Sequence, residues 1–598
     1  MAVGSSPAAA RRAPPVTGRK AMAGQADENP FQALNHWKEA SIAQAVGGVS
    51  PAALALALTD WWIHLYAAPG KQLELALKYA HAMGALSNHA AHTAAGMSRN
   101  PPAPTAADAS EPAAWKLEPF NLWRHAFQQT RQWWIEATGQ VPGVARHHAD
   151  LMSFCARQWC DVFSPANFLW SNPVVLARTL AENGRNLVTG YDNVASDLRR
   201  KLSLLPEEGM ERFKVGKNLA ITPGAVVFRN HLIELIQYAP ATSRVRPEPI
   251  LITPAWIMKY YVLDLSPENS LIRHLVAQGY VVFCISWRNV GPRDRDLSLE
   301  DYRRTGFMAA LDAVCRIVPG QRVHAVGYCL GGTLLAIAAA AMAGREDTRL
   351  ATMTLLATQT DFTEPGGLGL YIDASEVYFL ESLMWAQGYL SAEQMAAAFQ
   401  SLRPISDSAA RAVHTYLLGE RVPPNDLVAW NADSTRMPYR MHAEYLRKLF
   451  LNNELAAGRY EVDGHMIALR NIRIPIFAVG TDKDHIAPWR SIYKIHYQTD
   501  ADIRFVLTSG GHNAGIVSEP GHHGRWYRVH QSAAAGLRTG PDEWLAASTM
   551  HAGSWWPDWY AWLGAHSGKP RPAVRTLGEA GTDPSLLTPA PGTYVRQS

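Results

Sequence analysis

Residues 323–341, "VHAVGYCLGGTLLAIAAAA", pass from a short apolar strand through a glycine-flanked cysteine into an alanine-rich helix. An apolar run of six residues leading straight into a helix former marks one step of a parallel sheet, whose strands are buried on both faces. The step recurs. The β-rich runs "AVVFRN", "ELIQYAP", "PILITPA", "YVVFCISW", "MTLLAT", "PIFAVG" and "IRFVLTSG" lie on either side of it. Several are separated by helical stretches such as "SPENSLIRHLVAQG", where Ser266 and Pro267 read as N-cap and first-turn residue. This alternation predicts an α/β domain over 216–598 with a mostly parallel sheet. Between about 362 and 470 no parallel-strand signal appears. A loop of that length does not suit a compact domain, so an inserted, partly helical cap is expected there.

Upstream, residues 1–28 are rich in Ala, Pro, Gly, Ser and Arg, a composition that predicts a disordered tail. From 29 to 215 apolar residues recur at helical spacing, as in "PAALALALTDWWIHLYAAPGKQLELALKYAHAM", with Ser50 and Pro51 as its start signal. Interrupted by the Pro-rich stretch 100–114, this predicts a mainly helical N-terminal domain. The 598 residues are 47% hydrophobic and carry a net charge of only +4 without a basic block beyond the tail, so nucleic acid is not an expected partner. The five cysteines form no CxxC pair, which favours reduced thiols and a cytosolic setting. No apolar leader and no run of about 18 apolar residues is present, so neither a secretory signal nor a membrane span is expected. Twenty tryptophans are available; most are expected to pack, and a minority to form an exposed apolar surface.

Gly327, Cys329 and Gly331 fit G-x-nucleophile-x-G, the sharp elbow that presents a nucleophile above an α/β-hydrolase sheet. The glycines suit a turn where strand and helix come too close for a Cβ. The helix start favours negative charge on sulfur, and the Leu330 N–H would supply half of an oxyanion hole. A buried structural cysteine between packing glycines explains the same letters. Order argues for chemistry: "PIFAVGTDKDHIAPW" releases Asp482, Asp484 and His485 at a strand end, and "IRFVLTSGGHNAG" releases His512 at the next. Both strand ends belong to the carboxyl edge where such sites lie. Spacing leaves the choice open between Asp482 and Asp484, and between His485 and His512.

With "SPAALALALTDWWIHLYAAPGKQLELA", "FSPANFLWSNP", "PAWIMKYYVLDLSPENSLIRHLVAQGYVVFCISWRN", "GYCLGGT", "PPNDLVAWNADSTRMP", "TDKDHIAPW", "SGGHNAGIV", "GSWWPDWYAWL" and "PAPGTYV" in this order, the chain resembles the polyhydroxyalkanoate synthases. The resemblance is greatest to the class I, single-subunit type. It implies an α/β-hydrolase-like catalytic domain with a cap insertion, preceded by the helical domain. Catalysis would rest on Cys329 as nucleophile, Asp484 and His512, with His485 and Trp430 in supporting positions. It further implies (R)-3-hydroxyacyl-CoA as substrate, with short-chain monomers such as 3-hydroxybutyrate, and a growing polyester chain as acceptor. A homodimer and a cytoplasmic place on polyester granules with their phasins follow from the same likeness. No metal or redox cofactor is expected, CoA being part of substrate and product. Two departures stand out: Tyr328 replaces the Phe common in class I, and "WNADSTRMP" looks more like the medium-chain class.

The second oxyanion donor is expected on the loop after "PILITPA", around Trp256 and Ile257. Both also read as packing residues, as do Trp555, Trp556, Trp559 and Trp562. Asp264 reads equally as a helix-start carboxylate. The alternative chemistry for the same Cys, His and Asp is hydrolysis, by a thioesterase or a polyester depolymerase.

Overall fold

The computed structural model describes residues 29–46, 49–95, 112–203, 205–401, 403–534, 536 and 538–598. The expected 1–28 tail and most of the 100–114 break lie outside them. An eleven-stranded sheet organises the second part of the chain. Its strands are β1 (Gly224–Arg229), β2 (Ile233–Tyr238), β3 (Ile250–Thr253), β4 (Val282–Trp287), β5 (Val323–Tyr328) and β6 (Leu350–Leu356). They are followed by β7 (Ile476–Thr481), β8 (Ile503–Thr508), β9 (Trp526–Ser532), β10 (Thr549–Ala552) and β11 (Thr588–Pro589). In space the order is β10-β9-β8-β7-β6-β5-β3-β4-β2-β1-β11.

The six strands from β3 to β8 run parallel, and the strands at both flanks are antiparallel. Every residue of β3, β4, β5, β6 and β7 is buried, as strands covered on both faces require. The helix Leu330–Gly344 is apolar on all sides, and residues 330–342 are buried with it.

The elbow depends on glycine. A Cβ on Gly327 would lie 2.3 Å from Gly332 Cα, one on Gly331 2.1 Å from the Thr253 carbonyl oxygen, and one on Gly332 1.9 Å from Thr358 Oγ1. Strand, turn and helix therefore touch through backbone atoms. One expected helix start is corrected: "SPENSLIRHLVAQG" becomes helical only at Leu271, with Ser270 as N-cap accepting from the Arg273 N–H at 3.0 Å. Asp264 is buried and accepts from the hydroxyls of Ser270 and Thr222. Holding Ser270 in this way fixes the cap four residues beyond the Ser-Pro pair, and Ser266 instead donates to Asp426 at 2.6 Å.

Between β6 and β7 the chain leaves the sheet and forms helices, including Ala374–Gln387, Asp426–Asn431 and Tyr439–Glu444. The N-terminal helices, from Pro30–Val46 to Arg185–Leu202, are bonded to this insertion. The Ser50 N–H donates to Glu376 Oε2 at 2.7 Å, the Asn186 and Asn193 amides donate to the carbonyls of Leu417 and Thr415, and Arg421 pairs with Asp197 at 2.8 Å. The Ser50 hydroxyl also caps its own helix, accepting from the Ala53 N–H.

At the far side of the sheet, Glu234 of β2 is completely buried. Its carboxylate accepts from the backbone N–H groups of Thr593 and Tyr594 and from the Thr593 hydroxyl, and pairs with Arg229 at 2.6 Å. Gly592, at φ 82°, passes so close that a Cβ would lie 2.4 Å from Glu234 Oε2.

Gly327→Ala forces backbone apart at the elbow and is expected to cost about 1–3 kcal/mol or more of stability. Gly344→Ala, whose new methyl would meet only Asn471 Nδ2 at 3.8 Å, should be neutral. Urea unfolding of the two variants followed by circular dichroism checks the contrast, and equal midpoints would contradict it.

Candidate active site

Cys329 joins β5 to its helix at φ 52° and ψ −121°, a backbone region that costs a side-chain-bearing residue on the order of 1–3 kcal/mol. The conformation is held from several directions. The Cys329 N–H donates to the Leu356 carbonyl at 2.9 Å, and the Cys329 carbonyl accepts from the N–H groups of Gly332 and Thr333 at 2.9 and 3.2 Å. The Thr358 hydroxyl donates to that carbonyl as well, at 3.3 Å. Leu330 is the first helical residue, so its N–H belongs to the group that has no partner within the helix.

Asp484 and His512 leave the ends of β7 and β8. His512 Nδ1 and Asp484 Oδ2 are 2.7 Å apart. The second carboxylate oxygen accepts from the N–H groups of Ile486 and Ala487 at 2.9 and 2.8 Å, and Oδ2 also accepts from the Thr481 hydroxyl at 3.2 Å. Burial works against charge on Asp484, yet the imidazolium and the two N–H donors hold its pKa below the usual carboxylate range. Burial likewise opposes charge on His512, but Asp484 and the nearby Cys329 sulfur push the imidazole well above the ordinary histidine value. The structure thus brings Cys329, His512 and Asp484 into one connected group. The other cysteines, Cys155, Cys160, Cys284 and Cys315, lie elsewhere, and burial pushes all four thiols up.

The model of the α/β-hydrolase fold matches residues 248–519, and models described as the poly-beta-hydroxybutyrate polymerase (PhaC) N-terminus and the poly-beta-hydroxybutyrate polymerase N-terminal region match 109–275 and 29–71. A poly(3-hydroxyalkanoate) polymerase of Methylorubrum extorquens is 39% identical over 493 residues, covering 81% of this chain and 80% of the relative. The poly(3-hydroxyalkanoate) polymerase subunit PhaC of Cupriavidus necator is 37% identical over 451 residues, covering 74% and 75%. This chain belongs to the poly(3-hydroxyalkanoate) polymerase family.

As in that family, the chain is an acyltransferase-type enzyme on an α/β-hydrolase fold. The remaining residues singled out from the polymerase pattern fall in different surroundings. Asp482 accepts from the Gly510 N–H at 2.7 Å and braces the loop that carries His512. His485 is exposed; its carbonyl accepts from the Gly367 N–H at 2.7 Å, anchoring the start of the insertion. Trp430 is buried, and its indole N–H donates to the Lys259 carbonyl at 2.7 Å. It fastens the insertion to the loop after β3. Thr435 reinforces that join, its N–H on the Ile257 carbonyl at 3.2 Å and its hydroxyl on the Trp256 carbonyl. Ile257 is buried in this loop, and Trp256 packs its ring on Tyr302 at 5.2 Å.

Two contributions have no visible mark in the sequence. Tyr445, from the insertion, lies close enough to Cys329 that the sulfur's charge adds to burial in pushing its phenol pKa up; in "HAEYLRKLF" it is one apolar position among several. Trp555 and Trp556 are buried as packing residues should be, but their indole N–H groups reach the carbonyls of Gly515 and Ile516, both at 3.0 Å. They brace the His512 loop from behind. No helix among the described residues is long and apolar enough to cross a membrane.

The His512–Asp484 pair sets a pH window. A raised imidazole pKa stabilises the fold fully below the unfolded histidine value and loses that effect as pH climbs through the folded value; a lowered carboxylate pKa stabilises above the unfolded aspartate value. Both act together from roughly pH 4 to 6.5. The stability lost on His512→Gln should be largest in that window and shrink at higher pH, as urea titrations across pH 4–9 would show.

Proposed function

We propose that this enzyme polymerises (R)-3-hydroxyacyl groups, carrying each one from its CoA thioester to a growing polyester as a thioester of Cys329. The observation that carries this reading is a cysteine on a strained elbow, beside a buried His512 that is bonded to Asp484, in a chain of the polymerase family. His512 takes the thiol proton, and the sulfur attacks the CoA thioester carbonyl. The tetrahedral intermediate collapses as CoA sulfur leaves with the proton from His512. In the second half, His512 removes the proton of a 3-hydroxyl, from a bound monomer or the chain end. The alkoxide oxygen forms the ester, and Cys329 sulfur is released. Asp484 orients the imidazole and stabilises its charged form.

Sulfur suits the task because exchange between two thioesters is nearly isoenergetic, while the step to an oxoester runs downhill. In the oxyanion hole we place the N–H groups of Leu330 and Ile257, since Gly331, next to Leu330, lies in close contact with Thr253 and Pro254, where the loop that carries Ile257 begins. Water is the competing nucleophile, and buried Tyr445 beside Cys329, with Phe362 and Phe450 packed on it, supports its exclusion. The cycle requires no metal or redox cofactor. Short-chain monomers such as 3-hydroxybutyrate, a homodimer, and a cytoplasmic site on polyester granules with phasins belong to the same proposal. Trp37, Trp62 and Trp159 of the N-terminal helices and Trp170 in a turn between them are 58–68% exposed, which supports a polymer-facing surface.

With (R)-3-hydroxybutyryl-CoA, the enzyme should release CoA and build high-mass polyester; CoA accompanied only by free 3-hydroxy acid would make it a thioesterase or depolymerase. Cys329→Ala should abolish covalent labelling by substrate, whereas Cys284→Ala should not. Asp484→Asn is expected to lower turnover on the order of a thousandfold or more. Replacing Trp62 and Trp159 with serine should reduce co-sedimentation with polyester granules while soluble activity persists.

A further inference from the structure

The loop that carries His512 is held on three sides. Asp482 fixes it upstream through the Gly510 N–H, and Trp555 and Trp556 fix it downstream through the carbonyls of Gly515 and Ile516. On the side of β5, the Tyr328 hydroxyl donates to Asn513 Oδ1 at 2.5 Å. Tyr328 is 2% exposed, and its ring stands 5.8 Å from the His512 ring at 38°. This bond links the residue before the nucleophile to the residue after the base. It closes a small ring of contacts: Cys329, Tyr328, Asn513, His512 and back to Cys329.

We propose that Tyr328 is a positioning residue which, through Asn513, keeps His512 in register while Cys329 carries the acyl group. The inference rests on the acyltransferase reading above. In the free enzyme, His512 is bonded to Asp484 and attracted by the nearby Cys329 sulfur. Acylation removes the thiol proton and turns the sulfur into a weak acceptor, so that attraction is lost. The Asp484 bond then fixes one ring nitrogen and leaves the ring free to swing about it. The Tyr328–Asn513 bond does not involve the sulfur and survives acylation. Burial first, with the charge of Asp484, keeps the phenol protonated, and so a donor, after the sulfur has lost its own charge to acylation. The second half-reaction, in which His512 must meet an incoming hydroxyl, therefore depends on this bond more than the first.

The test compares the full-length enzyme with Tyr328→Phe, Asn513→Leu and the double variant, using (R)-3-hydroxybutyryl-CoA labelled in its acyl group. Acid quenching follows label arriving on the protein, which reports acylation; steady-state CoA release with polymer yield reports the whole cycle. For each single variant the acylation rate should stay within about twofold, while steady-state turnover falls about tenfold, the scale of one lost hydrogen bond in a buried site. The double variant should be no slower than the worse single one, since both substitutions remove the same bond. Equal losses in both steps, no loss in either, or additive losses in the double variant would overturn the proposal. Should Tyr328→Phe fail to fold by circular dichroism, Asn513→Ala removes the same bond from the loop side, and the same outcomes apply. A wild-type enzyme that takes no label and makes no polymer would instead refute the acyltransferase reading itself.

Discussion

At Cys329 the backbone turns through a positive φ that no β-strand or helix supplies, and neighbouring elements must hold it there. The Leu356 carbonyl, the first N–H groups of the following helix and the Thr358 hydroxyl do so. They can reach only because Gly327, Gly331 and Gly332 leave no Cβ in the way. The strain is thus maintained by the sheet's own packing, which sets the sulfur above the carboxyl edge of β5 within reach of the loops after β3, β7 and β8. Geometry that over-determines one residue in this way is how a fold keeps a reactive group in place without a ligand.

The central sheet was legible because its strands are buried on both faces and read as unbroken apolar runs. All eight expected runs became strands. The three strands missed, Trp526–Ser532, Thr549–Ala552 and Thr588–Pro589, lie at the flanks. Thr549–Ala552 is exposed throughout, Trp526–Ser532 carries Arg528, His530 and Ser532 on alternate positions, and Thr588–Pro589 is two residues long. None can announce itself by hydrophobicity. At the site, strand order pointed to the ends that bear Asp484 and His512, but which aspartate pairs with which histidine is a matter of reach. Asp482 turned to the Gly510 N–H, and Asp484 to the imidazole. The Tyr328–Asn513 bond spans 185 residues, and no local pattern marks such a partnership.

A chain of contacts runs from the N-terminal helices to the nucleophile. Those helices hold the insertion through Glu376, Leu417, Thr415 and Arg421; the insertion holds the loop after β3 through Trp430 and Thr435; and that loop abuts the elbow at Gly331. Regions separate in sequence are therefore mechanically in series, and the insertion is held from both sides.

Glu234 brings a further consequence, one of timing. Its carboxylate lies in the sheet interior and, among the described residues, finds its backbone donors at Thr593 and Tyr594, about 360 residues along the chain. Until that segment docks, β2 contains a charge with Arg229 as its main compensation, and an ion in such surroundings carries a desolvation penalty of several kcal/mol. Closure of this sheet edge is a contact of very high sequence separation, the kind that slows folding because of the loop-closure entropy it costs. The first hairpin of the sheet thus has its buried charge satisfied by the far end of the catalytic region, so that the two ends of that region are coupled in stability.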